Sequence, residues 1–139
     1  MMGWRLAPRL FSRRPERNAE LSPSDIGRLG EDLACRFLWR GGFRILERNF
    51  EGPRGEIDIV AEKSGRVRFI EVKTRTSDSL GSPEERVDRQ KRELLRETAR
   101  AYLENFRGRA PGGVQFDVLA QVIKANGQIE KQTLLENAL

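Results

Sequence analysis

The chain contains no histidine. That absence removes Ser-His-Asp and Cys-His catalysis, His-based nucleases and most zinc sites. Catalysis is left to Asp, Glu, Lys, Arg, Tyr, Ser or Thr, helped by a hard cation, because carboxylate oxygens suit Mg²⁺ or Mn²⁺. There is a single cysteine, Cys35. It excludes an internal disulfide and fits a reducing, cytoplasmic compartment. With no histidine to activate it, its thiol reads as a packing group and not a nucleophile. No apolar run approaches the roughly 18 residues needed to cross a bilayer, so no membrane partner is expected.

What is present is charge. Of 139 residues, 37% are hydrophobic and 34% charged, a balance that suits one soluble core. Lys and Arg number 26 against 21 Asp and Glu, with a pI near 10, which points to a polyanionic partner, nucleic acid being the commonest. The excess is uneven. Residues 1–20 hold five Arg and two Glu, so the remainder is only mildly basic.

Residues 1–20, "MMGWRLAPRLFSRRPERNAE", show no clean period, and Pro8 and Pro15 interrupt any helix. The stretch is too polar for a secretory signal. Arg-rich and acid-poor, it has features of a mitochondrial transit peptide; the plainer expectation is a disordered basic extension, with a domain over 21–139. "SPSD" at 22–25 starts a helix: Ser22 can cap, Pro23 suits the first position, and Asp25 follows three after the cap. Its stripe is Ile26, Leu29, Leu33 and Phe37, with Ala34 and Leu38 beside it, and Gly41-Gly42 ends it. Glu31 lies about 110° from the stripe centre, on the flank. Solvation is the default there; pointing along the edge of the packed layer is the alternative.

"FRILERNF" (43–50) reads as a strand, "EGPRG" (51–55) as a turn, and "GEIDIVAEKSGRVRFIEVKTR" (55–75) as two strands joined at Ser64-Gly65. "TSDSLGSP" (76–83) is a polar loop. A second helix is expected from Glu84 to Phe106, with Val87, Leu94, Leu95, Thr98, Tyr102 and Phe106 along its stripe and Lys91 in the middle. "VQFDVLAQVI" (114–123) is a strong strand, Asn126-Gly127 a hairpin signal, and "QIEKQTLL" an edge strand. The order α-β-β-β-α-β-β describes an α/β (mixed α+β) fold, a mixed central sheet flanked by helices.

A turn at Ser64-Gly65 places Lys63 opposite Arg66, Val60 opposite Phe69, Asp58 opposite Glu71 and Glu56 opposite Lys73. Alternation then puts Glu56, Asp58, Val60, Phe69, Glu71 and Lys73 on one face, and Ile57, Ile59, Ala61, Ile70 and Val72 on the other. Opposed Cβ atoms lie roughly 4.5–5.5 Å apart, so Asp58 and Glu71 repel unless a divalent cation sits between them. The bland alternative is a half-exposed hairpin with both acids solvated. It loses ground because the opposite face is already apolar, as in a central strand pair.

Asp58, twelve residues, then Glu71-Val72-Lys73 matches the D…ExK pattern of restriction-endonuclease-like nucleases. "GRLGEDLACRFLWRGGFRILERNF", "GEIDIVA", "FIEVKTR", the Lys91 of "RQKRELLRETARAYL" and "FDV" together closely resemble the YraN family, bacterial proteins with an endonuclease-like fold. The layout is also similar to that of archaeal Holliday junction resolvases. The resemblance implies a restriction-endonuclease-like core in which Glu31, Asp58, Glu71 and Lys73 form the site, with Lys91 and Gln90 at polar second-helix positions near it. Ile57 stands where many such motifs carry proline, as is usual in this family. Asp117 of "FDV" belongs to the match and receives no catalytic role.

On this reading Asp58, Glu71 and the Val72 backbone carbonyl hold one Mg²⁺ or Mn²⁺, and Glu31 holds a second ion or acts through water. Lys73 orients the attacking water or stabilises the pentavalent state. Lys91 touches a phosphate, its structural alternative being a snorkelling lysine. Arg54 and Arg75 flank the site and position the DNA backbone without reading sequence. The expected activity is metal-dependent endonucleolytic hydrolysis of DNA, on branched or recombination intermediates. The competing readings are a nucleic-acid-binding module without catalysis and an adaptor in a repair or uptake complex. Resolvases act as dimers, so a homodimer is an expectation from the resemblance alone.

Overall fold

A computed structural model describes residues 21–77 and 89–139. Seven elements follow in order: α1 (Pro23–Arg40), β1 (Arg44–Gly52), β2 (Gly55–Lys63), β3 (Arg66–Thr76), α2 (Arg89–Glu104), β4 (Gly113–Ile123) and β5 (Ile129–Leu135). This is the expected order. The strands form one five-stranded sheet in sequence order, antiparallel throughout except where β4 runs parallel to β3. A parallel pair needs a crossover, and α2 lies within it. The mixed sheet with helices is consistent with a restriction-endonuclease-like core. The basic stretch 1–20 and the first residues expected of the second helix, Val87 included, lie outside the described residues. No described helix is long and apolar enough to cross a membrane.

Local chemistry explains the element boundaries. Ser22 Oγ accepts the Asp25 backbone N–H at 3.2 Å, and the Asp25 carboxylate accepts the Ser22 hydroxyl at 2.7 Å, so α1 begins in a reciprocal cap. It ends at Gly41, and Gly42 turns out of it with φ +88°. Ser64 and Gly65 both take positive φ, the geometry that lets a two-residue turn match strand twist.

The sheet carries one helix on each face. Ala34, Cys35 and Leu38 of α1 pack with Phe43, Ile45, Ile59, Ala61, Ile70 and Leu119. Leu95 and Ala99 of α2 pack with Ile57, Val60, Val67 and Phe69, and Tyr102 meets Phe50 and Phe69 edge-on. Each fully buried Leu, Ile or Phe contributes about 1.5–3 kcal/mol, so the two half-cores anchor both helices.

The hairpin register holds from Lys63↔Arg66 to Ile59↔Ile70 and then stops. The expected Asp58–Glu71 and Glu56–Lys73 oppositions do not form. Asp58 Oδ2 accepts the Val72 N–H at 2.8 Å, so a side chain of β2 takes the place of its backbone and the strands part. Alternation is lost at the same point: Ile57 joins Val60 and Phe69 on the α2 side instead of Ile59 and Ala61. The second helix stops at Glu104, two residues short of the expectation, although Phe106 still packs on its cluster.

Candidate active site

The site begins with a glycine. A Cβ on Gly30 would collide with the Thr74 side chain, so only glycine lets α1 approach β3 this closely. Gln121 Nε2 fixes the contact by donating to the Gly30 carbonyl at 2.8 Å and to Thr74 Oγ1 at 3.1 Å. The next residue is Glu31, and its height over the sheet is set by that approach.

Two residues of β1 hold the Glu31 carboxylate. Asn49 Nδ2 donates to Glu31 Oε2 at 3.1 Å, and the Arg48 guanidinium lies 3.7 Å from the same oxygen while pairing with Asp32 at 2.8 Å. Asn49 does this from φ +51°, a left-handed conformation that asparagine tolerates better than most residues. Sequence reasoning missed both residues. An Asn inside an otherwise regular strand pattern was the available signal.

Carboxylate oxygens of Glu31, Glu56 and Asp58 all lie within 4.8 Å of one another. Glu56 was expected opposite Lys73 and had no role in the site; the parting of β2 from β3 brings it to Glu31 instead. The gap between those strands also receives the Val72 carbonyl, because the N–H and C=O of one strand residue point to the same side, and this N–H meets Asp58. Glu71 lies near enough to raise the proton affinity of both Asp58 and Glu56, but its Oε1 is in an ion pair with Lys91 Nζ at 2.7 Å. Lys91 is thus half-exposed and turned to the site, not buried on its helix.

Crowded carboxylates resist ionisation. Burial pushes the Asp58 carboxyl up to about 7, and repulsion from Glu71, Glu31 and Glu56 adds to it, while the Val72 N–H opposes. Glu56 is raised as well, by burial and then by Glu31, Glu51 and Glu71. An octahedral Mg²⁺ with oxygens at about 2.1 Å spans ligands no more than about 4.2 Å apart. Oxygens as much as 4.8 Å apart would have to draw closer, neighbouring ligands to about 3.0 Å, to share one such ion, and its charge would relieve their repulsion. The donor set, all oxygen, fits Mg²⁺ or Mn²⁺.

The remaining expected residues lie on β3, on α2 and in the β1–β2 turn. Lys73 follows Glu71 by two on β3, in register with Ala120, and Arg75 lies in register with Val122; both are half-buried. Gln90 is exposed beside Lys91 at the start of α2. Arg54, in the β1–β2 turn, is exposed and pairs with Glu97 of α2 at 3.1 Å. Asp117 is fully buried away from this chemistry. It accepts the Asn137 N–H at 2.9 Å and Gln115 Nε2 at 2.8 Å and pairs with Arg68 at 3.4 Å, so it anchors the C-terminal segment.

The model of a family described as "Uncharacterised protein family UPF0102" matches residues 30–120, which contain every residue of the centre. Among relatives, a UPF0102 protein of Dictyoglomus thermophilum is 38% identical over 118 residues, covering 85% of this chain and 99% of its own length. One of Moorella thermoacetica is 49% identical over 94 residues, covering 68% and 78%. One of Solibacter usitatus is 40% identical over 132 residues, covering 91% and 92%.

Proposed function

This chain belongs to the UPF0102 family, the YraN proteins, and from that premise we propose that it is a divalent-metal-dependent nuclease that hydrolyses DNA phosphodiester bonds, with branched or recombination intermediates as substrates. The observation that carries the reading is the convergence of the Glu31 and Asp58 carboxylates, from α1 and β2, with that of Glu56, while Glu71 of β3 lies close enough to raise the proton affinity of the half-buried Asp58. Such a grouping destabilises the fold unless a cation uses it.

Asp58, Glu71 and the Val72 carbonyl are assigned to hold Mg²⁺ or Mn²⁺, with Glu31 and Glu56 completing or extending the ligand set. The ion, when bound, supplies Lewis acidity at the phosphoryl oxygens and lowers the pKa of the attacking water. Asn49 and Arg48 keep Glu31 aimed at the centre. Lys73 is assigned to donate to the attacking water or to the phosphoryl oxygens as charge develops on them. Arg54, Arg75 and Gln90 are assigned to the DNA backbone, and the basic balance of the chain favours that partner.

Cleavage of branched, flapped and single-stranded DNA with Mn²⁺, beside Glu71→Ala and Lys73→Ala, tests the reading. Wild type is expected to cut at least one substrate, and both variants to lose at least about 100-fold in rate. Equal activity in all three overturns the assignment. A salt-dependent mobility shift without any cleavage replaces it with a nucleic-acid-binding module.

A further inference from the structure

We infer that Lys91 is a displaceable counter-ion on Glu71: its ammonium occupies the carboxylate until a divalent cation takes that carboxylate, and the released ammonium then binds a phosphate of the nucleic acid. The inference rests on the metal-nuclease reading above and adds to it a coupling between metal and substrate.

Three observations lead here. The ion pair is short, 2.7 Å from Nζ to Oε1, so the ammonium sits on an oxygen that a metal ligand needs. The two partners differ in exposure. The Glu71 side chain is 11% exposed and fixed on a central strand, whereas the Lys91 side chain is 49% exposed at the start of α2. The half that moves is therefore the lysine. Its backbone stays in place, because Leu95, Thr98 and Ala99 seat the same helix on the sheet. Finally, the charge count favours exchange. Glu31, Glu56, Asp58 and Glu71 repel one another, and the ammonium offsets part of that repulsion. A divalent cation offsets more and repels the ammonium at this range, so the two do not share Glu71.

Competition of this kind lowers the apparent metal affinity by the fraction of molecules in which Glu71 is released. Nucleic acid, by drawing Lys91 onto a phosphate, raises that fraction. Metal and phosphate binding are then positively coupled, and by linkage each strengthens the other to the same degree. The resting site is guarded against stray cations and opens when a substrate phosphate arrives.

The test is an electron paramagnetic resonance titration of free Mn²⁺ against wild type, Lys91→Met, Lys91→Gln, Lys91→Arg, Glu71→Gln and the Lys91→Met/Glu71→Gln double variant, each checked for folding by circular dichroism. The two neutral Lys91 variants are expected to bind Mn²⁺ about 3- to 10-fold more tightly than wild type. Lys91→Arg keeps the charge and stays within about twofold of wild type. Lys91→Met changes nothing once Glu71 is Gln. Equal or weaker Mn²⁺ binding by the folded neutral variants overturns the inference while leaving the metal reading intact. No Mn²⁺ uptake by wild type sinks both. For the phosphate half, a labelled DNA duplex is titrated with and without Ca²⁺. Ca²⁺ is expected to strengthen binding more for wild type than for Lys91→Met, and an equal gain for both overturns that half.

Discussion

Replacing Asp58 with Asn removes one charge from the centre and keeps the hydrogen bond, since an amide oxygen still accepts the Val72 N–H seen at 2.8 Å. The carboxyl is pushed from 3.8 up to about 7 by burial and by its acidic neighbours. At about 1.4 kcal/mol per unit, the ionised form costs the native state on the order of 4 kcal/mol, and residual solvent at this half-buried group brings the expected gain from Asn to about 2–4 kcal/mol. The sign follows from the raised value. Below pH 3.8 both folded and unfolded chains are protonated and the penalty is absent. As pH rises toward 7 the unfolded chain ionises while the folded chain keeps its proton, so wild-type stability falls; above the folded value the loss is complete and flat. Urea denaturation in chelator from pH 4 to pH 8 measures it: Asp58→Asn is the more stable chain at pH 8, and the difference shrinks toward pH 4. Adding Mn²⁺ at about 100 times its dissociation constant should stabilise wild type by about 2.7 kcal/mol and the variant far less. An Asn variant equal to or weaker than wild type at pH 8, or a gap that ignores pH, refutes the reasoning.

Two further outcomes follow from the way Glu31 is placed. Gly30→Ala drives a methyl into Thr74 Oγ1 and should cost about 1–3 kcal/mol in urea denaturation, with part of the loss recovered in the Gly30→Ala/Thr74→Ala double variant. Asn49→Gly preserves the positive φ but removes the donor to Glu31, so Mn²⁺ affinity by calorimetry should fall several-fold while stability changes by less than about 1 kcal/mol.

The frame of this fold was legible where short-range chemistry decides it. The Ser22 cap, the Gly41-Gly42 stop, the Ser64-Gly65 turn with its register and the Asn126-Gly127 hairpin all depend on neighbours within a few residues. The centre was legible only as a set of residue types. Periodicity assumes an unbroken ladder, and at Asp58 a side chain replaces the backbone partner of Val72, which ends the pairing and carries Glu56 toward Glu31. Nothing local announces that substitution. The support of Glu31 was invisible for a different reason: Arg48 and Asn49 reach it across 17 and 18 positions of chain, through a helix-to-sheet approach set by Gly30. The Lys91–Glu71 pair spans 20 positions and joins β3 to the start of the helix in the crossover that follows it, beyond the reach of any spacing rule. Asp117, part of the family match, makes buried contacts to Gln115, Asn137 and Arg68.

The most direct measurement is anomalous scattering from crystals grown with excess Mn²⁺. The account requires a manganese peak at about 2.0–2.4 Å from an Asp58 carboxylate oxygen, shared with at least one of Glu31, Glu56 and Glu71. A well-ordered site in which Asp58 touches no manganese, with the carboxylates unchanged in position, contradicts it.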